Sequence, residues 1–238
     1  MPQMITPAQR RKTASRRRAP PAPAPERILA AALAGFAERG FDGATTREIA
    51  AAAGVPQGLV TYHYASKQAL WEAAVDWVFA ALAAEFATAA EALRDVDAVT
   101  RLRAVLKRYA RFSARHPELH CLMTHEGSHD GPRLRWLVDR HVRPLFEQST
   151  ALIRDAAPGV DAAHLHYVAI GAVTHLFAVA PEFQRVTGRD SRAPAMVDAH
   201  ASAVIDWLVD AALEQSAAAP SRQRAPRVRH RPRTQETA

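Results

Sequence analysis

Between Thr45 and Tyr64 the chain spells two short helical segments around the break Gly54-Val55-Pro56. Thr45 followed three residues later by Glu48 makes a capping box, in which each side chain satisfies the other's free backbone amide. Gly54 suits the left-handed position that ends a helix, and Pro56 is well placed to open the next one. Two short helices joined by three or four residues, one of them glycine, define a helix-turn-helix. In that geometry the second helix is free to enter the major groove of a DNA duplex.

The flanks of this motif are helical too. From Glu26 to Arg39, Ile28, Leu29, Ala32, Leu33 and Phe36 recur with the period of one helix face, and Gly40-Phe41 closes the segment. Downstream, Ser66-Lys67 opens a long helix with Leu70, Trp71, Ala74, Val75, Val78, Leu82 and Phe86 on one side. Taken together, Ile28 to Leu70 resembles the N-terminal DNA-binding domain of the tetracycline-repressor (TetR) family. The likeness is carried by Phe36 with Gly40-Phe41, Thr45-Thr46, Ile49-Ala50, Ala53-Gly54-Val55, Gly58, Tyr62, His63 and Ser66-Lys67, all in the family's spacing.

The resemblance implies that Gln57 to Tyr64 is the recognition helix. Arg47 and Gln57 then face base edges, where a guanidinium fits the two acceptors of guanine and a primary amide fits adenine. Gly58 lets the helix end approach DNA at a cost of roughly 1 kcal/mol in helix propensity. Leu59 and Thr61 offer methyl groups to thymine. Thr46, Tyr62, His63 and Lys67 correspond to positions that touch the phosphate backbone, with Lys67 and the amides after Ser66 facing a phosphate. Two residues depart from the commonest family pattern: Thr61 stands where many members have Tyr, and Tyr64 where many have Phe. The first change removes an aromatic contact, so the operator of another member does not transfer; the second reads as a packing change.

Charge is unevenly distributed. Of 31 Lys and Arg, twelve lie in residues 1–25 and 220–238, against one acid of the 24, which leaves nineteen basic and twenty-three acidic residues in 26–219. The net charge of +7 therefore sits in two tails around a slightly acidic body. Both tails are rich in Pro, Ala and Arg without apolar period, and are expected to be disordered. Basic arms beside a DNA reader add phosphate contacts and salt dependence. The N-terminal arm is unlike a signal peptide, because prolines 20, 21, 23 and 25 follow its basic residues in place of an apolar core. A single cysteine, Cys121, excludes an internal disulfide and suits a reducing cytoplasm.

Beyond the fourth helix the periodicity stays helical: Val99 to His116, a shorter Pro117 to Glu126, Pro132 to Ala157, Asp161 to about Thr187, and Pro194 to Glu214. The expected organisation is all-α, with a basic arm at 1–25, a helix-turn-helix three-helix domain at 26–70, a helical ligand-binding and dimerisation bundle at 71–217, and an Arg-rich tail at 218–238. Residues 162–181 hold no Lys, Arg, Asp or Glu. Their length suits a membrane span, but His164, His166, Tyr167, Thr174 and His175 argue for a helix buried between helices or subunits. A stripe of Val197, Val204, Ile205, Leu208, Ala212 and Leu213 is compatible with pairing against that helix in a four-helix dimer interface. As in small-molecule sites generally, large apolar walls with a few polar handles would line a ligand pocket, and Tyr109, Phe112, Met123, Trp136, Phe146 and His175 are the candidates.

Other chemistry has weaker support. His116 with His120 and His125 with His129 stand four apart, but Pro117 and Gly127 interrupt the helix faces that a metal pair needs, so no metal site is assigned. No Gly-x-Ser-x-Gly elbow, phosphate loop or dinucleotide fingerprint is present, so neither an enzyme nor a cofactor is expected. The reading is a homodimeric transcriptional regulator, a repressor on a palindromic double-stranded operator that a small-molecule inducer releases, with no membrane partner. The alternative is a sequence-tolerant DNA-compacting protein that uses its basic tails.

Overall fold

A computed structural model describes residues 22–218, and among them every regular element is helical. The first helix, α1 (Ala24–Gly43), starts two residues before the expected Glu26, with a proline in its first turn. The rest of the expected basic arm and nearly all of the Arg-rich tail lie outside the described residues. Gly40 sits at φ 70° and ψ 175°, a conformation favoured by glycine, and this kinks α1 so that Phe41 turns back onto the core. Next come α2 (Thr46–Ala53), α3 (Gln57–His63) and the 26-residue α4 (Lys67–Ala92). The Ser66 hydroxyl caps α4 by accepting from the Ala69 amide at 3.0 Å.

Helices α5 (Ala98–Arg115) and α6 (Pro117–Gly127) match the sequence reading closely. Asp97 caps α5 by accepting from the Thr100 amide at 3.0 Å, and that hydrogen bond holds its carboxyl below the ordinary range. The expected single helix from Pro132 to Ala157 is instead α7 (Pro132–Leu137), a π-helical turn at Val138–Val142 and α8 (Arg143–Ala156). Pro144 explains the wider turn. It has no N–H to donate to the carbonyl of residue 140, and the Arg143 amide reaches back to the Val138 carbonyl instead.

The long helix expected to reach Thr187 also divides. Helix α9 (Ala162–Ala178) ends at Val179 (φ −99°, ψ 27°), and α10 (Ala180–Thr187) leaves at a 65° bend. Pro181 is the cause, since it cannot donate to the carbonyl one turn back. No single helix among the described residues is long and apolar enough to cross a membrane; α9 and α10 pass that test only as a bent pair. The last helix, α11 (Pro194–Ala218), runs four residues beyond the expected Glu214.

Two main cores result. The first joins Ile28, Phe36, Ile49 and Val60 to Leu70, Trp71, Val75 and Val78 of α4, and continues into Phe112, Leu119, Leu122 and Leu137. It thus crosses the expected boundary at residue 70, which falls inside α4. Burying a side chain such as Leu70 or Ile28 fully stabilises by about 1.5–3 kcal/mol. The second core gathers Leu102, Ala110, Ile153, Val173, Ala201, Ile205 and Val209 from α5, α8, α9 and α11. The α11 stripe meets the helix it was expected to pair with: Val204, Ile205 and Leu213 share this core with Leu165 and Val173 of α9, and Val197 and Ala212 are buried as well. The large apolar side chain that α11 leaves exposed is Trp207, at 73%.

Candidate nucleic-acid interface

The helix-turn-helix is built by local bonds that the sequence foreshadows. Thr45 Oγ1 accepts from the Glu48 amide at 3.2 Å, and Glu48 Oε2 accepts from the Thr45 amide at 3.3 Å and the Thr45 hydroxyl at 2.7 Å. The hydrogen bond from the Thr45 side chain, with Arg39 nearby, keeps the Glu48 carboxyl below its ordinary range. Gly54 closes α2 at φ 63° and ψ 42°, and the Val55 amide reaches the Ala50 carbonyl at 3.0 Å. Pro56 precedes α3 as its cap, leaving Gln57 as the first helical residue. An arginine that the sequence reading missed steadies this turn. Arg27 Nε, near the start of α1, donates to the Ala53 carbonyl at 3.1 Å. Nothing local marks it, because its partner lies 26 residues away.

Only Val60 of α3 is fully buried, and Leu59 packs partly against the core; Gln57, Gly58, Thr61, Tyr62 and His63 are exposed. Leu59 is therefore half committed to packing. Tyr62 is 81% exposed, and its ring meets His63 edge-on at 5.2 Å. A Cβ added at Gly58 would meet nothing within 4 Å, so no internal contact demands glycine there. The Thr61 hydroxyl donates to the Gly58 carbonyl at 3.0 Å, which leaves its methyl as the group free for an outside contact. Tyr64 is half-buried against the core and burial pushes its phenol pKa up, in line with a packing role.

A cleft of about 360 Å³ lies between the starts of α2 and α4 and the body of α3, lined by Ala44, Thr45, Thr46, Val60, Thr61, Tyr64, Ala65, Ser66 and Lys67. It unites Thr46, Thr61 and Lys67. Arg47 is exposed on α2 outside that lining. Lys67 is more constrained than a free surface lysine: its ammonium donates to the Asp42 carbonyl at 3.1 Å and stands 4.8 Å from the centre of the Phe41 ring.

The six ligand-pocket candidates do not form one group. Phe112, Met123 and Trp136 belong to the first core, and Tyr109 packs against both cores with its phenol pushed up to about 12 by burial. Phe146 stands outside the first core, 5.1 Å from the His166 ring and 6.2 Å from Tyr167. His175 is exposed on α9, so it is corrected from a pocket wall to a surface residue. A run without charges says nothing about which of its sides faces outward. The histidines are likewise occupied locally: His120 Nδ1 shares a 2.9 Å hydrogen bond with Thr174, and His116 packs on Phe112 at 4.5 Å. Among the described residues no three His, Cys, Asp or Glu side chains form a group able to hold a metal.

An exposed recognition helix on a capped helix-turn-helix, joined by one long helix to an all-helical second half, defines a DNA-binding transcriptional regulator of the one-helix-per-groove kind. Residues 28–74 match the family described as bacterial regulatory proteins, tetR family, and residues 99–208 match the tetracyclin repressor-like C-terminal domain. The chain belongs to the TetR family. A 68-residue stretch is 43% identical to the HTH-type transcriptional dual regulator CecR of Shigella flexneri; it covers 29% of this chain and 30% of that protein's length. Among solved structures, a TetR-like transcriptional regulator from Rhodococcus sp. RHA1 is similar at TM-score 0.60 and 20% identity, over 83% of this chain and 99% of the other. The ketosteroid transcriptional regulator KstR2 of Mycobacterium tuberculosis is similar at TM-score 0.64 and 16% identity, over 81% and 96%. FadR of Bacillus subtilis, solved with stearoyl-CoA, is similar at 0.56 and 16%, over 77% and 97%.

Proposed function

We propose that this regulator is a repressor that binds a palindromic operator as a homodimer and is released by a small-molecule inducer. The observation that carries this reading is where large apolar side chains remain exposed. Among the described residues there are five: Tyr62 on α3, and Tyr167, Val168, Val186 and Trp207 on α9, α10 and α11. A large exposed apolar patch marks a surface that a partner covers, and α9, α10 and α11 supply four of these five side chains. Here Tyr62 faces DNA and the α9–α11 side faces a second copy of the chain. Two copies set their recognition helices about 34–36 Å apart, or a multiple of that, matching successive turns of the duplex. Arg47, Gln57, Gly58, Leu59 and Thr61 supply base and close-approach contacts, and Thr46, Tyr62, His63 and Lys67 supply backbone contacts.

The inducer site is proposed around Tyr109, Phe112, Met123 and Trp136. Trp71 Nε1 is buried there without a hydrogen-bond partner, and its ring lies 5.4 Å from Trp136. That donor is one an inducer with an acceptor atom can take. Release then follows if the inducer favours the dimer shape in which α4 holds the recognition helices off register. Sedimentation and operator binding of Trp207→Glu test the dimer. The expected result is a shift to monomer with loss of operator binding. A dimer of unchanged affinity would refute this interface, and because Trp207 is exposed the change leaves the cores untouched.

A further inference from the structure

The helical half carries a second concentration of charge that DNA reading does not use. Arg108, Arg111 and Arg115 on α5 are spaced three and four apart, which puts three guanidinium groups on one helix face. That face walls an open cleft of about 570 Å³, bordered also by Glu85 of α4, Arg192 of the loop before α11, and Pro194, Val197 and Asp198 of α11. Two of the arginines are paired. Arg111 donates Nε and Nη2 to one Asp198 oxygen at 3.0 and 2.9 Å, and Arg115 Nη2 donates to Glu85 at 2.6 Å. The other two, Arg108 and Arg192, make no ion pair among the described residues, so the charged lining holds four cations against two anions. Ala114 and Val197 add a buried apolar floor.

Guanidinium forks match phosphate oxygens in bidentate fashion. A phosphate monoester carries a charge of about −1.5 to −2 at pH 7, which balances the surplus, whereas a single carboxylate leaves part of it uncompensated. We infer that this cleft is a binding site for a phosphorylated small molecule, held by Arg108 and Arg192. Its phosphate is not one of the operator's: Glu85 lies eighteen residues past Lys67 on the same helix, roughly 27 Å away along its axis. The site stands on the cleft's own geometry and is independent of the repressor reading.

Calorimetric titration of the full chain with inorganic phosphate, against chloride at matched ionic strength, tests it. The expected result is saturable binding of one phosphate per chain, weakened about tenfold or more in Arg108→Gln/Arg192→Gln. Glu85→Gln removes a competing carboxylate and frees Arg115, and is expected to tighten phosphate several-fold; it keeps all four arginines and decides the matter if the double variant does not fold. The terminal arginines remain in every variant. Identical isotherms for the wild type and the variants would therefore place the phosphate on the tails and overturn the site, as would the absence of saturable binding.

Discussion

Asp76 of α4 and His141 of the π-helical turn are joined by a 2.8 Å hydrogen bond from Nε2 to Oδ1. An ionised carboxylate only accepts, so the ring proton sits on Nε2. Arg140 grips the same carboxylate with Nε at 2.6 Å and Nη2 at 2.9 Å, and the His141 ring stacks on Phe79 at 4.4 Å. One turn and a half earlier on α4, Trp71 packs against Trp136 and meets Phe41 edge-on at 6.5 Å, and Phe41 stacks on Phe36 of α1. The π turn is thus tied to α4 by Asp76 and Phe79, and the preceding α7 by Trp71, which reaches the DNA-reading domain through Phe41.

Asp76→Ala removes the shared acceptor and leaves His141 half-buried without a partner. Because Asp76 is itself partly exposed, a loss of about 1–2 kcal/mol is expected in urea unfolding, below the range for fully buried charged hydrogen bonds. An unchanged unfolding midpoint would mean that the π turn is not held by this carboxylate.

Acidification is expected to destabilise the fold. Burial holds His116, His120, His141 and His166 below their ordinary pKa, and at His141 the opposing pull of Asp76 does not reverse it. At Asp76 burial pulls upward, but the hydrogen bonds from Arg140 and His141 outweigh it and the carboxyl is held below its ordinary range. In both cases the unfolded chain binds more protons, so stability rises with pH. The histidine part is lost as pH falls through the unfolded value of about 6.5, and the Asp76 part below about 4. A melting temperature that is flat or rising from pH 7.5 to pH 5 would contradict this.

Gly58→Ala separates folding from DNA reading. With helical backbone and open space at the Cβ position, alanine is expected to stabilise the protein by about 0.5–1 kcal/mol. It should nonetheless weaken operator binding, because the added methyl stands where the helix approaches the groove. Urea unfolding beside fluorescence anisotropy on the operator measures both. Gain of stability with undiminished DNA affinity would remove Gly58 from the interface.

Base readers and phosphate binders should differ in kind. Arg47→Ala and Gln57→Ala are each expected to weaken operator binding by about 1–3 kcal/mol and relax base preference. Lys67→Ala is expected to weaken binding to all DNA alike, with some loss of stability because Lys67 also bonds the end of α1. Equal losses on operator and random DNA for all three would sink these roles.

The parts of the fold that were legible in the sequence are those fixed within one turn of chain. The capping box at Thr45, left-handed Gly54 and the cap at Ser66 each depend on residues three or four apart. Prolines 144 and 181 were equally visible, yet whether a proline kinks a helix, widens it to a π turn or begins a new one depends on what packs beside it. The α11 stripe was read correctly as apolar and as a neighbour of α9, but its further burial against α5 and α8 was not legible, since a stripe does not name everything that packs on it. Arg27 on Ala53 and Asp76 on His141 span 26 and 65 residues, and no local pattern announces such pairs. The recognition-helix candidates rest on spacing and the family pattern, whereas the pocket candidates rest on size and polarity alone, which say nothing about the exposure of His175.

The most direct test of the central claim is selection of bound fragments from a random DNA pool at physiological salt, with the full chain and with a version trimmed to residues 22–219. The account predicts an enriched palindrome, its half-sites a whole number of duplex turns apart, that the trimmed version retains. Binding without a consensus that disappears with the tails would contradict it, and would make the chain a sequence-tolerant DNA-compacting protein.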